Sequence, residues 1–258
     1  MKCIEELLLD KSLVSTYHHK LSEKNLIFYD TETTGILKDF SQILQCGSVL
    51  TDEGLNTLDE QNIGCAPLPW VIPQPMAMIT NKKIDLFKSN ISHYQMMKDL
   101  QMQWKQWSAE NPAIFITYNG HAFDEELVRR QFFWNLLEPY TTNTNGNGRL
   151  DLMLMIHNIA SFFSDEISMP LFEGGPGISY KLEHLAIEHG IDAGDAHDAI
   201  ADCNLMIEMC RIIKERLPEV FQSFINISTK PGVKELLYSE DFLALGEIHR
   251  RHTFRYPV

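Results

Sequence analysis

Leu26-Ile27-Phe28-Tyr29-Asp30-Thr31-Glu32-Thr33-Thr34-Gly35 is the stretch on which the reading of the fold turns. Residues 26–29 are an apolar run of β-favouring types, which predicts a strand, and Asp30 and Glu32 fall at its end. Side chains alternate along a strand, so positions i and i+2 share a face and the two carboxylates converge. Hard oxygen ligands at a sheet end suit Mg²⁺ or Mn²⁺, which such sites bind through a few carboxylates, waters and substrate phosphate oxygens. An isolated Asp-x-Glu after an apolar run is also what an ordinary polar strand end looks like, so the pair needs partners elsewhere in the chain.

Working outward, residues 42–50 followed by Asp52-Glu53-Gly54 predict a second strand leading into a turn, the start of a β-meander. Pro67, Pro69, Pro73 and Pro75 then exclude a helix interior or central strand, because each removes a backbone donor, and that stretch reads as a surface loop. Met96, Leu100, Trp104 and Trp107 recur at helical spacing within residues 92–111, with Asn111-Pro112 as the stop. Residues 113–118 predict a short buried strand ended by Asn119-Gly120. Residues 123–137 predict an amphipathic helix whose first turn carries Asp124, Glu125 and Glu126, as the positive end of a helix dipole favours. The polar run 141–148 reads as a flexible connector, 150–163 as a helix, 170–177 as a loop, and 180–189 as a short helix capped by Gly190. Residues 196–217 predict the last long helix of the core, stopped at Pro218. Strands come first and helices later, so the expected class is an α/β or α+β sheet with helices packed on it, without internal repeats.

A chain of 258 residues with 44% hydrophobic content can bury one sizeable core. Its net charge of −13 is a poor signature for gripping phosphate backbones by bulk attraction, so any nucleic-acid contact must be local. Cys3, Cys46, Cys65, Cys203 and Cys210 form no CxxC pair, and their odd number and wide spacing suit reduced, buried thiols and a cytosolic setting. Asp10 interrupts the short apolar run near the N-terminus, so a secretory signal is not expected, and no window approaches a bilayer span.

Asp124 opens a helix after a strand-turn signal; its plain reading is a charge that complements the dipole. His197 and Asp202 are five positions apart, about 140° around an ideal helix, and cannot share one face if both are helical. A His197 placed just before the helix, or in an irregular first turn, can bend over a site that Asp202 reaches from the helix. The plain reading of His197 is a surface histidine in a polar stretch. Asp202 resists a plain reading, since it sits among Ala199, Ile200, Ala201, Cys203 and Leu205, where an unpaired carboxylate is costly.

At this point a family resemblance enters. Phe28-Tyr29-Asp30-Thr31-Glu32-Thr33-Thr34-Gly35, Tyr118-Asn119-Gly120-His121-Ala122-Phe123-Asp124-Glu125-Glu126 and Ala196-His197-Asp198-Ala199-Ile200-Ala201-Asp202 resemble, in order, the three motifs of the DEDD 3′→5′ exonuclease superfamily. The third is of the histidine-containing branch, DEDDh. Within that branch the chain is most similar to the exonuclease domain of the exodeoxyribonuclease I family, through Ile72-Pro73-Gln74-Pro75, Arg149 near Asp151-Leu152, and Leu182-Glu183-His184-Leu185, over about residues 25–230.

The resemblance implies a ribonuclease-H-like mixed sheet flanked by helices and hydrolysis of a nucleic-acid strand from its 3′ end, releasing nucleoside 5′-monophosphates. It implies that Asp30, Glu32, Asp124 and Asp202 hold two Mg²⁺ or Mn²⁺ ions, that a neutral His197 takes a proton from the attacking water, and that Thr33, Thr34, Asn119 and Lys181 line the substrate path. A β-branched strand end is an equal reading of Thr34, and a turn dipeptide is another reading of Asn119. Lys181 stands where relatives have Arg, which keeps the charge and loses the planar fork. Thr80-Asn81-Lys82-Lys83 departs from the glycine-containing turn of relatives, and supplies either a local basic contact or a solvated turn.

The expected layout is an N-terminal extension (1–24), the exonuclease domain (25–226) and a helical, basic C-terminal tail (227–258), whose run 248–256 interleaves Arg with aromatics as single-strand binders do, although a frayed tail is the commoner outcome for such a composition. Exodeoxyribonuclease I continues into an SH3-like and a helical domain about where this chain stops, so distributive action is expected. The expected partner is single-stranded nucleic acid, DNA before RNA; an exoribonuclease or oligonucleotidase, and an inactive binding module on the same fold, are the rival readings.

Overall fold

The computed structural model describes residues 24–194, 198–249 and 252–257. Its frame is a five-stranded sheet in the order β3-β2-β1-β4-β5. β1 (Asn25–Thr33) and β2 (Ile43–Thr51) make the meander start expected from the sequence, β3 (Thr57–Gly64) adds a third antiparallel strand that the sequence reading did not place, and β4 (Ala113–Thr117) and β5 (Gly148–Asp151) continue the sheet in parallel on the other side of β1. Parallel neighbours need crossovers. Those chains are α1 (Pro75–Asn81), a 3₁₀ turn (Lys83–Lys88) and α2 (His93–Trp107) before β4, and α3 (Asp124–Trp134) before β5.

Beyond β5 come α4 (Leu152–Phe162), α5 (Leu182–Glu188), α6 (Ala199–Arg216), α7 (Pro218–Asn226) and α8 (Lys230–Ser239). The pleat of β1 divides the interior. Leu26 and Phe28 join a core with Met155 and Ile159 of α4, Leu185 of α5, Cys203, Met206 and Cys210 of α6 and Phe221 of α7. Ile27 and Tyr29 point the other way, into a core with Met96, Leu100 and Trp104 of α2 and Leu127, Val128 and Phe132 of α3. Burial of each such side chain is worth about 1.5–3 kcal/mol, so the alternation along β1 fixes which helices lie on which face. By the same alternation Asp30 and Glu32 belong to the α6 face, and Thr31 to the α3 face.

Three local expectations change. The proline-punctuated loop ends one residue earlier than expected, because Pro75 occupies the first turn of α1, where its missing N–H costs nothing. The helix expected from residue 150 begins at Leu152, and the preceding four residues pair in parallel with β4; Asp151 closes that strand and caps α4, accepting from Met153 N–H at 3.1 Å. The connector 141–148 is built into the core: Thr141, Thr142 and Asn147 are buried, and Asn147 Oδ1 accepts the N–H of Ala113 at 2.9 Å.

At the C-terminal end α8 agrees with the helical expectation, and an antiparallel hairpin of β6 (Ala244–His249) and β7 (His252–Pro257) follows instead of a frayed tail, consistent with the β-favouring Ile248, Thr253, Phe254 and Tyr256 in its sequence. The basic pair Arg250 and Arg251 and the N-terminal extension before Lys24 lie outside the described residues. Among the described residues no helix is long and apolar enough to cross a membrane.

Candidate active site

Three carboxylates meet where β1 leaves the sheet. Asp30, Glu32 and Asp202 each offer an oxygen, and these oxygens all lie within 4.8 Å of one another. Asp30 and Glu32 are there because of the strand alternation just described. Asp202 is there because the first turn of α6 runs across β2 at Gly47, the residue paired with Asp30. Asp198 caps that helix, its Oδ1 accepting from Ile200 N–H at 3.2 Å, so Asp202 projects from the turn nearest the strand ends.

Asp124 approaches from the opposite face. It is buried at the start of α3, and its Oδ1 accepts a hydrogen bond from the Thr31 hydroxyl, the side chain between Asp30 and Glu32 that points away from them. The compact oxygen trio therefore excludes Asp124, although its charge still acts on Asp30. The next residue, Glu125, is 5% exposed and anchors the helix start: it accepts from Tyr29 Oη at 2.8 Å, Thr142 Oγ1 at 2.6 Å and Arg149 at 2.9 Å.

The electrostatics are those of an acidic site awaiting positive charge. Burial, together with the neighbouring Asp124, Asp202 and Glu32, holds the Asp30 carboxyl well above the ordinary carboxylate range. Burial and then Asp202 push Glu32 up to about 8, against the opposing effect of Lys83. Burial raises Asp124 to about 6, with the Thr31 hydrogen bond pulling the other way. Clustered oxygen donors that resist ionising together are the donor set a hard divalent cation satisfies, and the residues fit Mg²⁺ or Mn²⁺ on that chemistry.

The other residues singled out in the sequence are distributed around this centre. Thr33 is buried and its hydroxyl donates to the Gly35 carbonyl at 2.8 Å. Thr34 is 1% exposed and its Oγ1 accepts from Gln42 N–H at 2.8 Å, which ties the β1–β2 connection. Asn119 is exposed in the left-handed region at φ 57°, and its N–H donates to Asp151 Oδ1 at 2.8 Å. Lys181 is exposed and lies 3.5 Å from Glu183. His197 lies outside the described residues.

Sequence reasoning missed the supports. Asp151 also accepts from His121 N–H at 3.1 Å, so one buried carboxylate holds the loop 118–122 that delivers Asp124. Gln45, cross-strand from Glu32, is buried; its amide donates to Asn62 at 2.8 Å and its Oε1 has no partner among the described atoms. Lys83 forms a 2.7 Å ion pair with Asp198. Arg149 and Asp151 entered only through the family resemblance, with no signal for what they hold, and Lys83 stood in a stretch read as either a basic contact or a solvated turn.

A 3-2-1-4-5 mixed sheet with Asp-x-Glu at the end of its central strand, met by acids from two helix starts, has a ribonuclease-H-like architecture shared with nucleases. No family model matches the chain. It is 28% identical over 227 residues to exodeoxyribonuclease I of Buchnera aphidicola subsp. Schizaphis graminum, an alignment covering 86% of this chain and 46% of the relative. The crystal structure of E. coli exonuclease I in complex with a dA16 oligonucleotide superposes with a TM-score of 0.74 at 25% identity, over 83% of this chain and 45% of that one. The zinc-bound form of the E. coli exonuclease I complex with single-stranded DNA superposes with a TM-score of 0.72 at 25% identity, over 80% and 43%. In sequence and fold the chain is close to the exonuclease domain of exodeoxyribonuclease I, and its motifs are consistent with the DEDD superfamily. It spans about half the length of the curated relatives it matches.

Proposed function

We propose that this chain is a divalent-metal-dependent 3′→5′ exonuclease acting on single-stranded DNA, and that Asp30, Glu32, Asp124 and Asp202 hold its ions. The observation that carries this reading is the meeting of Asp30, Glu32 and Asp202 oxygens within 4.8 Å, reached from two separate parts of the chain. A lone polar strand end does not gather a third acid from a helix that starts about 170 residues later. DNA is preferred to RNA because the relatives are deoxyribonucleases and a solved neighbour holds a dA16 strand.

Two Mg²⁺ or Mn²⁺ ions, when bound, supply an acidified water and neutralise the charge developing on the phosphate and the leaving 3′ oxygen. The protein's own part is positional. Asp30 and Glu32 hold from the sheet end, Asp202 from α6, and Asp124 from the far face with its orientation set by Thr31. The resemblance assigns His197 as the group that takes the proton from the attacking water, which requires a neutral imidazole. Thr33, Thr34 and the exposed Asn119 are proposed to line the terminal nucleotide, and Lys181 to meet a phosphate further along. The free, buried Cys46, Cys65, Cys203 and Cys210 suit a reducing compartment, so a cytoplasmic location is proposed with the activity.

The test is degradation of 3′- and 5′-labelled single strands of DNA and RNA, with and without Mg²⁺ or Mn²⁺. Metal-dependent shortening from the 3′ end, faster on DNA, is expected. Strands left intact with both metals would overturn the reading in favour of a binding module.

A further inference from the structure

Among the described residues, Lys83 brings its ammonium up to the acidic centre. It follows α1 in a turn whose backbone is unusual: Lys82 sits at φ 56°, a left-handed conformation in a residue with a side chain, and its N–H donates back to the Met78 carbonyl at 3.1 Å. That reversal sends two neighbouring side chains to two different elements. Asn81, 5% exposed, donates from Nδ2 to the Thr33 carbonyl at 2.9 Å, directly beside Glu32 at the end of β1, and its Oδ1 accepts the Lys83 N–H at 3.2 Å. The Lys83 ammonium crosses to Asp198 Oδ2 at 2.7 Å, at the N-cap of α6.

The result is a continuous polar bridge, Thr33 to Asn81 to Lys83 to Asp198, between the strand that carries Asp30 and Glu32 and the helix that carries Asp202. Lys83 is largely covered, with 17% of its side chain exposed against 36% for Asp198, so the pair is partly sheltered from the screening that weakens surface bridges. Charge makes the bridge necessary. Asp198 and Asp202 are both acids at the end of α6 that faces Asp30 and Glu32, and without a cation between them that end of the helix is repelled by the strand.

We propose that Lys83 is a positioning residue: by pairing with Asp198 it holds the start of α6 against the end of β1 and sets the spacing at which Asp202 meets Asp30 and Glu32. The inference rests on the metal-site reading of those three acids. It assigns Lys83 no contact with substrate.

The experiment is a Mn²⁺ titration of the wild-type protein and of Lys83→Met, Lys83→Arg and Asp198→Asn, each checked for folding by circular dichroism, with kcat and KM measured on a single-stranded oligonucleotide. Mere removal of a positive charge beside an acidic site tightens cation binding. Loss of the brace weakens it, and a drop of roughly 10- to 100-fold is expected for Lys83→Met, the scale seen when groups supporting metal ligands are removed. Lys83→Arg is expected to restore most of that affinity. The Lys83→Met/Asp198→Asn pair is expected to lose little more than Lys83→Met alone, because the two side chains act as one unit. Unchanged or tighter Mn²⁺ binding by Lys83→Met would overturn the brace, as would a rise in KM with metal affinity intact, which is the behaviour of a substrate contact. Absence of Mn²⁺ binding by the wild-type protein would instead overturn the metal site itself.

Discussion

Gly47 on β2 pairs with Asp30 on β1 and lies against the backbone of Ala199, so close that a methyl group on Gly47 would stand 2.6 Å from the Ala199 carbonyl carbon. Cys203 reinforces the contact, its thiol donating to the Gly47 carbonyl at 3.5 Å. The absence of a side chain at one strand position therefore lets α6 settle low enough for Asp202 to reach Asp30 and Glu32.

Gly47→Ala is accordingly expected to lift the first turn of α6. The stability cost should be about 1–3 kcal/mol, the usual scale of overpacking, and Mn²⁺ affinity should fall with it. Thermal melts and metal titration measure both; an alanine variant with wild-type melting and wild-type affinity would show that this approach does not set the site.

Metal-free protein should lose stability as pH rises. Glu32 is raised from 4.5 to about 8, and Asp30 and Asp124 shift in the same direction. Between about 4.5 and about 8 the folded form keeps a proton at Glu32 that the unfolded chain has released, so the contribution is complete below the unfolded value and is lost as pH passes through about 8. Bound divalent ions remove the need for those protons. Melting temperatures at pH 6 and pH 8.5 should differ clearly with chelator present and much less with excess Mg²⁺ or Mn²⁺. Equal melting at both pH values in chelator would contradict the repulsion described for the cluster.

Glu32→Gln separates stability from function at one position. The variant discards a carboxyl that is hard to ionise in place, and at pH 8 the metal-free protein should become more stable by about 1 kcal/mol or more. Exonuclease rate should fall on the order of 10² or more if Glu32 is the ion ligand proposed above. Opposite signs in the two assays are the mark of a residue kept for chemistry. A variant that melts lower and degrades DNA at the wild-type rate would assign Glu32 to structure alone.

How much of this was legible in the sequence follows from what each signal depends on. The first two strands, the strand 113–117, the helix starting at Asp124 and the long helix ending at Arg216 are written in local periodicity and punctuation, which a single sequence displays. β5 is not: its four residues form a strand because β4 lies beside them, and out of context Arg149-Leu150-Asp151 continues the apolar helix that follows. The acids stood out because strand alternation and motif order pointed to them. Their split between faces was half visible, since alternation puts Thr31 opposite Asp30, but nothing local tells that Thr31 holds Asp124. Thr34 had a strand-end reading of equal weight, and its hydroxyl oxygen accepts the Gln42 N–H. Gly47, Lys83 and Asp151 act through contacts 30 or more positions away in the chain or through backbone approach, and no pattern in one sequence reports such pairs.

Asp151 offers the most direct test of how the second motif is held. Its carboxylate receives the N–H groups of Asn119, His121 and Met153 while only 5% exposed, so it fixes the loop before α3 and the first turn of α4 together. Asp151→Asn keeps the shape and turns one acceptor into an NH₂ group facing backbone donors. Leaving such buried donors unsatisfied costs about 1–3 kcal/mol, and the loop that sets Asn119 and Asp124 should loosen. The expected outcome is a lower melting temperature, faster amide exchange at residues 119–124, and a fall in kcat larger than the change in Mn²⁺ affinity, because Asp30, Glu32 and Asp202 remain gathered without it. If amide exchange in that loop stays at the wild-type rate while kcat falls, Asp151 acts on the reaction by some route other than the loop.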